Sequence, residues 1–136
     1  MRFFRYMFAD TPFNQPIGDW DTSSAATMRE MFENSEFNQD ISSWNTATVE
    51  DFGGMFLNAT SFNQDISNWK PSSAKSMKEM FYDAELFDQN LCAWGDYMTD
   101  PDLSNPIRMF SGTACPRVQR PDLDASPISP LCYACS

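Results

Sequence analysis

The sequence predicts an α/β repeat solenoid. A short parallel sheet would run on one side and short helices on the other, in about four to five coils, closed by an irregular, disulfide-capped C-terminus. Three observations predict this. FNQDISSWNT from Phe37 and FNQDISNWKP from Phe62 share seven of their first eight residues, with weaker copies FNQPIGDWDT from Phe13 and FDQNLCAWGD from Phe87. The tryptophans fall at Trp20, Trp44, Trp69 and Trp94, in steps of 24, 25 and 25. In phase with them stand the pairs Met7-Phe8, Met31-Phe32, Met55-Phe56, Met80-Phe81 and Met109-Phe110. A period of this size over most of a chain marks stacked units.

The repeat domain spans 1–115, in units of roughly 1–20, 21–44, 45–69 and 70–94 and a degenerate final coil 95–115, with a cap over 116–136. The start, MRFFRYMFAD, mixes Arg with apolar residues as a targeting segment does. Its Phe4, Met7, Phe8 and Phe13 nevertheless match Met28, Met31, Phe32 and Phe37 of the next unit, so it reads as the tail of a repeat. In the unit from Trp20 to Trp44, Ala25, Met28, Met31, Phe32 and Ser35 are spaced to share one helix face, with Ser23 or Ser24 as the cap. Val49, Phe52, Met55, Phe56 and Ala59 repeat the plan, as do Ala74, Met77, Met80, Phe81 and Ala84. Thr11, Ser35, Ala59, Ala84 and Thr113 keep one position small, as a close backbone approach requires. Gly53-Gly54 would weaken its helix by about 1 kcal/mol per glycine. The Gln-Asp-Ile-Ser segment is too short for a helix. It reads as a strand with Ile17, Ile41, Ile66 and Leu91 pointing inward and Asp40 and Ser42 outward. The apolar side chains of one unit cannot offset the entropy of ordering its backbone, so each unit needs a neighbour of the same shape.

The pattern A-x-x-M-x-x-M-F-x-x-A-x-x-F-N-Q-D-I-S-x-W, from Phe4 to about Cys115, resembles the BspA-like leucine-rich-repeat surface proteins. More narrowly, it is similar to the variant abundant in Mycoplasma lipoproteins and microalgal proteins. The resemblance implies a right-handed, leucine-rich-repeat-like coil, secretion or surface display, adhesion or protein binding, and no enzymatic activity. The last quarter of the chain departs from that pattern.

All four cysteines, Cys92, Cys115, Cys132 and Cys135, come late. Cys115 follows Met109 by six residues, as Phe37 follows Met31, and so takes a core phenylalanine position. Fifteen residues separate Trp94 from Met109, against eleven in earlier units, and Pro101 and Pro106 stand in this stretch, so the helix there is expected to degrade into a loop. Residues 116–136, with Pro116, Pro121, Pro127 and Pro130, read as an extended strap. An even cysteine count at the end of an array points to a two-disulfide cap and an oxidising compartment: secreted, cell-surface or an organelle lumen. A four-cysteine zinc site and a redox CYAC motif are the competing readings. Of three connectivities, Cys92–Cys115 with Cys132–Cys135 is favoured because Cys92 and Cys115 lie on consecutive coils. A C-x-x-C disulfide is tight, so the crossed pairings stay open.

Asn14, Asn38 and Asn63 form one column and Gln15, Gln39, Gln64 and Gln89 another. Both read as structural amide ladders satisfying turn groups, alongside apolar ladders of Ile17, Ile41, Ile66 and Leu91 and of Trp20, Trp44, Trp69 and Trp94. A polar strip recognising glycan or ice is the sharper alternative. Asp40 and Asp65 stack, with Asp19 and Asp21 nearby. A solvated acidic face is the favoured reading and calcium the alternative, and no other cofactor is indicated. With no His, the commonest general base is missing, and a short coil offers no deep cleft, so no enzyme is expected. The net charge of −10 argues against nucleic acid and anionic membrane. No apolar run approaches a membrane span. The first coil presents Phe3, Phe4, Tyr6, Met7 and Phe8, an N-terminal interface expected to be covered by a protein partner or by further repeats of a longer chain. Two function classes follow: an extracellular protein-binding or adhesion module, or a structural subunit of a larger assembly.

Overall fold

The computed structural model describes residues 2–136. Met1, which the sequence assigns to the first unit, lies outside the described residues. Strand β1 (Arg2–Phe3) pairs in parallel with β2 (Ala25–Thr27), and parallel bridges continue from Thr27 to Asp51 and from Asp51 to Ser76. Phe3, Thr27, Asp51 and Ser76 therefore mark one line across four successive units.

The segments that follow this line carry the spacing read as helices, but their backbone is not helical. In the unit from Trp20 to Trp44, the Met31 N–H donates to the Met28 carbonyl and the Ser35 N–H to the Phe32 carbonyl, each at 3.2 Å. The third residue of each of these four-residue turns has a positive φ, Glu30 at 54° and Asn34 at 54°. That combination is the type II turn, so each segment is two type II turns in tandem. Tyr6 and Asp10, Gly54 and Asn58, Glu79 and Asp83, and Arg108 and Gly112 repeat the pair in the other units. The flipped central peptides free a second set of N–H groups to point along the stack. Met28, Glu30, Phe32 and Asn34 donate to the carbonyls of Asp51, Gly53, Met55 and Leu57, all at 2.9 Å. Phe52, Gly54, Phe56 and Asn58 donate in turn to Ser76, Lys78, Met80 and Tyr82. Alternate N–H groups thus close turns or join units, and the backbone of the segment is satisfied without a helix. The one helix among the described residues is a 3-10 helix, Cys92–Tyr97, at the start of the stretch with the extra residues. Gly54, read as a helix-weakening residue, sits at φ 60°, where glycine is favoured. Ser23 caps no helix; its N–H and hydroxyl both donate to Asp21 Oδ1.

The Gln-Asp-Ile-Ser segments are not strands either. Each Ile begins a tight turn whose fourth residue is the tryptophan: the Trp44 N–H donates to the Ile41 carbonyl and the Trp69 N–H to Ile66, both at 3.1 Å. The bonds between units here come from side chains. The indole Nε1 of Trp44, Trp69 and Trp94 donates to the carbonyl of Ile17, Ile41 and Ile66 in the preceding unit, at 3.0 Å each.

The core runs the length of the stack as columns of rings. Phe8, Phe32, Phe56, Phe81 and Phe110 stand 5.4–5.7 Å apart between centroids. Phe13, Phe37, Phe62 and Phe87 stand 6.0–6.3 Å apart beside them. Trp44, Trp69 and Trp94 form a third column at 6.4 and 6.0 Å. Ile41, Ile66 and Leu91 are fully buried and Ile17 nearly so.

The disulfides are Cys92–Cys135 and Cys115–Cys132, and no cysteine is free. This corrects the favoured pairing of Cys92 with Cys115. The strap folds back along the last unit: the Leu91 N–H donates to the Leu131 carbonyl and the Arg117 N–H to the Cys132 carbonyl. Leu131 and Cys132 are fully buried, which brings Cys132 to the core phenylalanine position held by Cys115 and leaves Cys135 over the more exposed Cys92.

Candidate interaction surfaces

The asparagine and glutamine columns meet, but across units rather than each with itself. Asn14 Oδ1 accepts from the Asn38 N–H at 2.8 Å and from Gln39 Nε2 at 3.1 Å. Asn38 Oδ1 accepts from the Asn63 N–H and Gln64 Nε2, both at 3.0 Å, and Asn63 Oδ1 accepts from the Asp88 N–H and Gln89 Nε2, both at 2.9 Å. Each glutamine also reaches the preceding asparagine's carbonyl. Gln15 has no equivalent bond among the described residues. Asp88 stands where the next asparagine would, and there the cap replaces a unit: Tyr133 Oη donates to Asp88 Oδ1 at 2.7 Å. That bond raises the Tyr133 pKa above the usual phenol range, with loss of hydration adding to it.

The acid column is built of local turns. Asp40 Oδ1 accepts from the Ser42 N–H and hydroxyl at 2.9 and 2.7 Å, and Asp65 Oδ1 from the Ser67 N–H at 2.9 Å. Hydrogen bonds from the serine hydroxyl and then its N–H hold both carboxyls below the usual range, and Ser23 does the same for Asp21. The aspartates line an open cleft of about 370 Å³ with Ser42, Gln64, Ser67 and Asn68. No group of three or more His, Cys, Asp or Glu among the described residues is arranged to hold a metal ion.

A second cleft, about 460 Å³, lies along the bridge line, lined by Phe3, Arg5, Ala26, Thr27, Glu50 and Asp51. Its acids are engaged by neighbours: Glu50 with Lys75 at 3.1 Å and Asp51 with Arg29 at 3.7 Å. Beside it, Phe3 is 70% exposed, Tyr6 50% and Met7 49%. Of the other two residues assigned to this N-terminal surface, Phe4 is buried and Phe8 packs on Phe13 and Phe32. Trp20 differs from the rest of its column. It is 36% exposed, packs on Phe4 and Phe8, and has no indole bond among the described residues.

The column missed by sequence reasoning is the second positive-φ position: Asp10, Asn34, Asn58, Asp83 and Gly112. Asn34 Nδ2 donates to Asp10 Oδ1 at 2.8 Å and Asn58 Nδ2 to Asn34 Oδ1 at 2.7 Å, an exposed polar ridge along the outside of the turns. Its composition is the signal that was present in the sequence, since Asn, Asp and Gly are the residues that tolerate left-handed backbone.

Residues 2–115 match the model of a family described as Mycoplasma protein of unknown function, DUF285. No curated protein and no solved structure matches the chain.

Proposed function

We propose that this chain, which belongs to the DUF285 family, is a non-enzymatic protein-binding or adhesion module, secreted or displayed at a cell surface and built as a right-handed solenoid. Two disulfides without a free cysteine suit an oxidising environment. The observation that carries the binding reading is the cleft at Phe3, Arg5, Ala26, Thr27, Glu50 and Asp51 with Phe3, Tyr6 and Met7 exposed beside it. Apolar side chains gathered next to charge on a surface are the usual mark of a protein contact. The amide ladder is the weaker candidate, because its groups already bond to one another.

A photo-crosslinking residue at Phe3 tests this against one at Ser67, in the Asp40–Asp65 cleft. With surface material of the source organism, a discrete adduct at Phe3 and none at Ser67 is expected. Equal labelling at both positions, or none at Phe3, refutes the binding reading. The second reading, a structural subunit of a larger assembly, draws on the same apolar surface. It predicts that the adduct partner co-purifies stoichiometrically with the native protein.

A further inference from the structure

We propose that Asn58 is an N-glycosylation acceptor. Asn58-Ala59-Thr60 is the one Asn-x-Ser/Thr triplet with a residue other than proline in the middle anywhere in the sequence. Every other asparagine lacks Ser or Thr at the third position, where Asn14 for instance has Pro16. Asn58 and Thr60 are both exposed, and Asn58 lies on the outward ridge of the turns. The two disulfides independently suit the oxidising lumen in which such transfer takes place.

The geometry accepts a sugar without loss of the fold. Asn58 Nδ2 carries two hydrogens. One bonds to Asn34 Oδ1, and the other is available for replacement. In the transfer, Nδ2 forms a bond to C1 of the sugar as the C1–O bond to a polyprenyl-diphosphate oligosaccharide donor breaks. The diphosphate leaves with the electron pair, and one Nδ2 proton passes to the transferase. The remaining N–H keeps the rung to Asn34. Timing also follows from the structure. Ala59, between the two recognition residues, is fully buried, and the Asn58 N–H donates to the Tyr82 carbonyl at 2.7 Å. A transferase that must draw Asn-x-Thr into its own site can do so only before the Tyr82 unit closes over Ala59. The glycan would then stand on the turn ridge, and neither Asn58 nor Thr60 lines the cleft at Phe3 and Glu50, so this proposal does not depend on the binding reading.

The test is made on full chain recovered from its native source and on full chain translated behind a cleavable signal peptide into glycosylation-competent microsomes. Peptide-N-glycosidase is expected to lower the apparent mass of both by one glycan and to leave Asp at position 58, read by peptide mass mapping. In microsomes Asn58→Gln and Thr60→Ala should abolish the modification and Thr60→Ser should retain it. Folded, disulfide-closed chain should stay unmodified by detergent-solubilised microsomal transferase, whereas the same chain reduced and unfolded should be modified. Native protein carrying only unmodified Asn58, or a mass step that persists in Asn58→Gln, overturns the proposal.

Discussion

Replacing Trp69 with Phe isolates what one ring contributes within the stack. Trp69 is 1% exposed, lies between Trp44 and Trp94, and donates its indole N–H to the Ile41 carbonyl at 3.0 Å. Phenylalanine is smaller by about 40 Å³, and at ~24 cal/mol per Å³ an unfilled space of that size costs ~1 kcal/mol. Loss of apolar contact area adds ~1 kcal/mol. The lost indole bond adds ~0.5–1 kcal/mol. That increment is at the modest end because the Ile41 carbonyl still accepts from the Trp44 N–H. The sum is roughly 2–3 kcal/mol. The control is Trp20→Phe, at a ring that is 36% exposed and has no indole bond among the described residues. Its expected cost is below about 1 kcal/mol. Urea unfolding followed by far-UV circular dichroism should separate the two midpoints by about 1 M, for a slope near 2 kcal/mol/M. Equal midpoints would show that the indole bond and the ring column contribute nothing beyond what a partly exposed ring does.

Asn34→Val places a β-branched residue at φ 54° and removes the ridge bond to Asp10, so a loss of about 1–2 kcal/mol is expected by urea titration, with Asn34→Gly milder. Asn38→Ala takes an acceptor from both the Asn63 N–H and Gln64 Nε2 and should cost about 1–2 kcal/mol, whereas Gln64→Ala, which strands no backbone donor, should cost less. Cys115→Ser with Cys132→Ser opens the 17-residue link and should lower stability by about 3 kcal/mol; non-reducing peptide mapping of the parent should show Cys92 joined to Cys135. Asp21, Asp40 and Asp65 have folded pKa values below their unfolded ones, so they stabilise above the unfolded carboxylate range, and that stability is lost as pH falls through their folded values. Glu33 runs the other way: burial, then the Glu30 carboxylate, raises its pKa, so its contribution favours folding at low pH and is lost as pH rises through the folded value. Asp40→Asn with Asp65→Asn should flatten the acid limb of the midpoint-against-pH curve, and an unchanged limb would remove these carboxylates from the explanation.

The repeat period was legible because identical side chains 24 or 25 residues apart are the ones whose rings now stack. Local structure was not, for a specific reason. Two four-residue turns in tandem put Met28, Met31, Phe32 and Ser35 on the inside at spacings of three, one and three, as a helix would. Apolar periodicity cannot separate the two. The backbone-sensitive column, Asp10, Asn34, Asn58, Asp83 and Gly112, could have done so, since five such residues in register ask for left-handed backbone. The Gln-Asp-Ile-Ser segment misled because alternation implies a strand only where backbone groups pair, and here asparagine, glutamine and tryptophan side chains make the bonds between units. The cysteine pairing depended on the path of a strap with no period, and spacing along the chain carries no record of that path. In the acidic column the residues were evident but their use was not: each carboxylate closes its own turn with the serine two residues on.

The wiring between units has a direction. Main-chain donors of the turn segments point towards the later unit, as Phe32 does to Met55, while indole and glutamine donors point back towards the earlier one, as Trp69 does to Ile41. The later side of one regular inner unit therefore complements the earlier side of another. A gene that gains or loses one whole period, cut at equivalent points, yields a chain in which every donor still meets an acceptor. A change of a few residues inside a ladder segment breaks that match at each rung it crosses. The longer stretch between Trp94 and Met109 shows where such a change is tolerated: the extra residues lie between ladder segments, and Phe81 still donates to the Met109 carbonyl at 2.9 Å. Length in this lineage should accordingly vary in whole periods, with odd-sized insertions confined to the interval between the tryptophan and the following methionine.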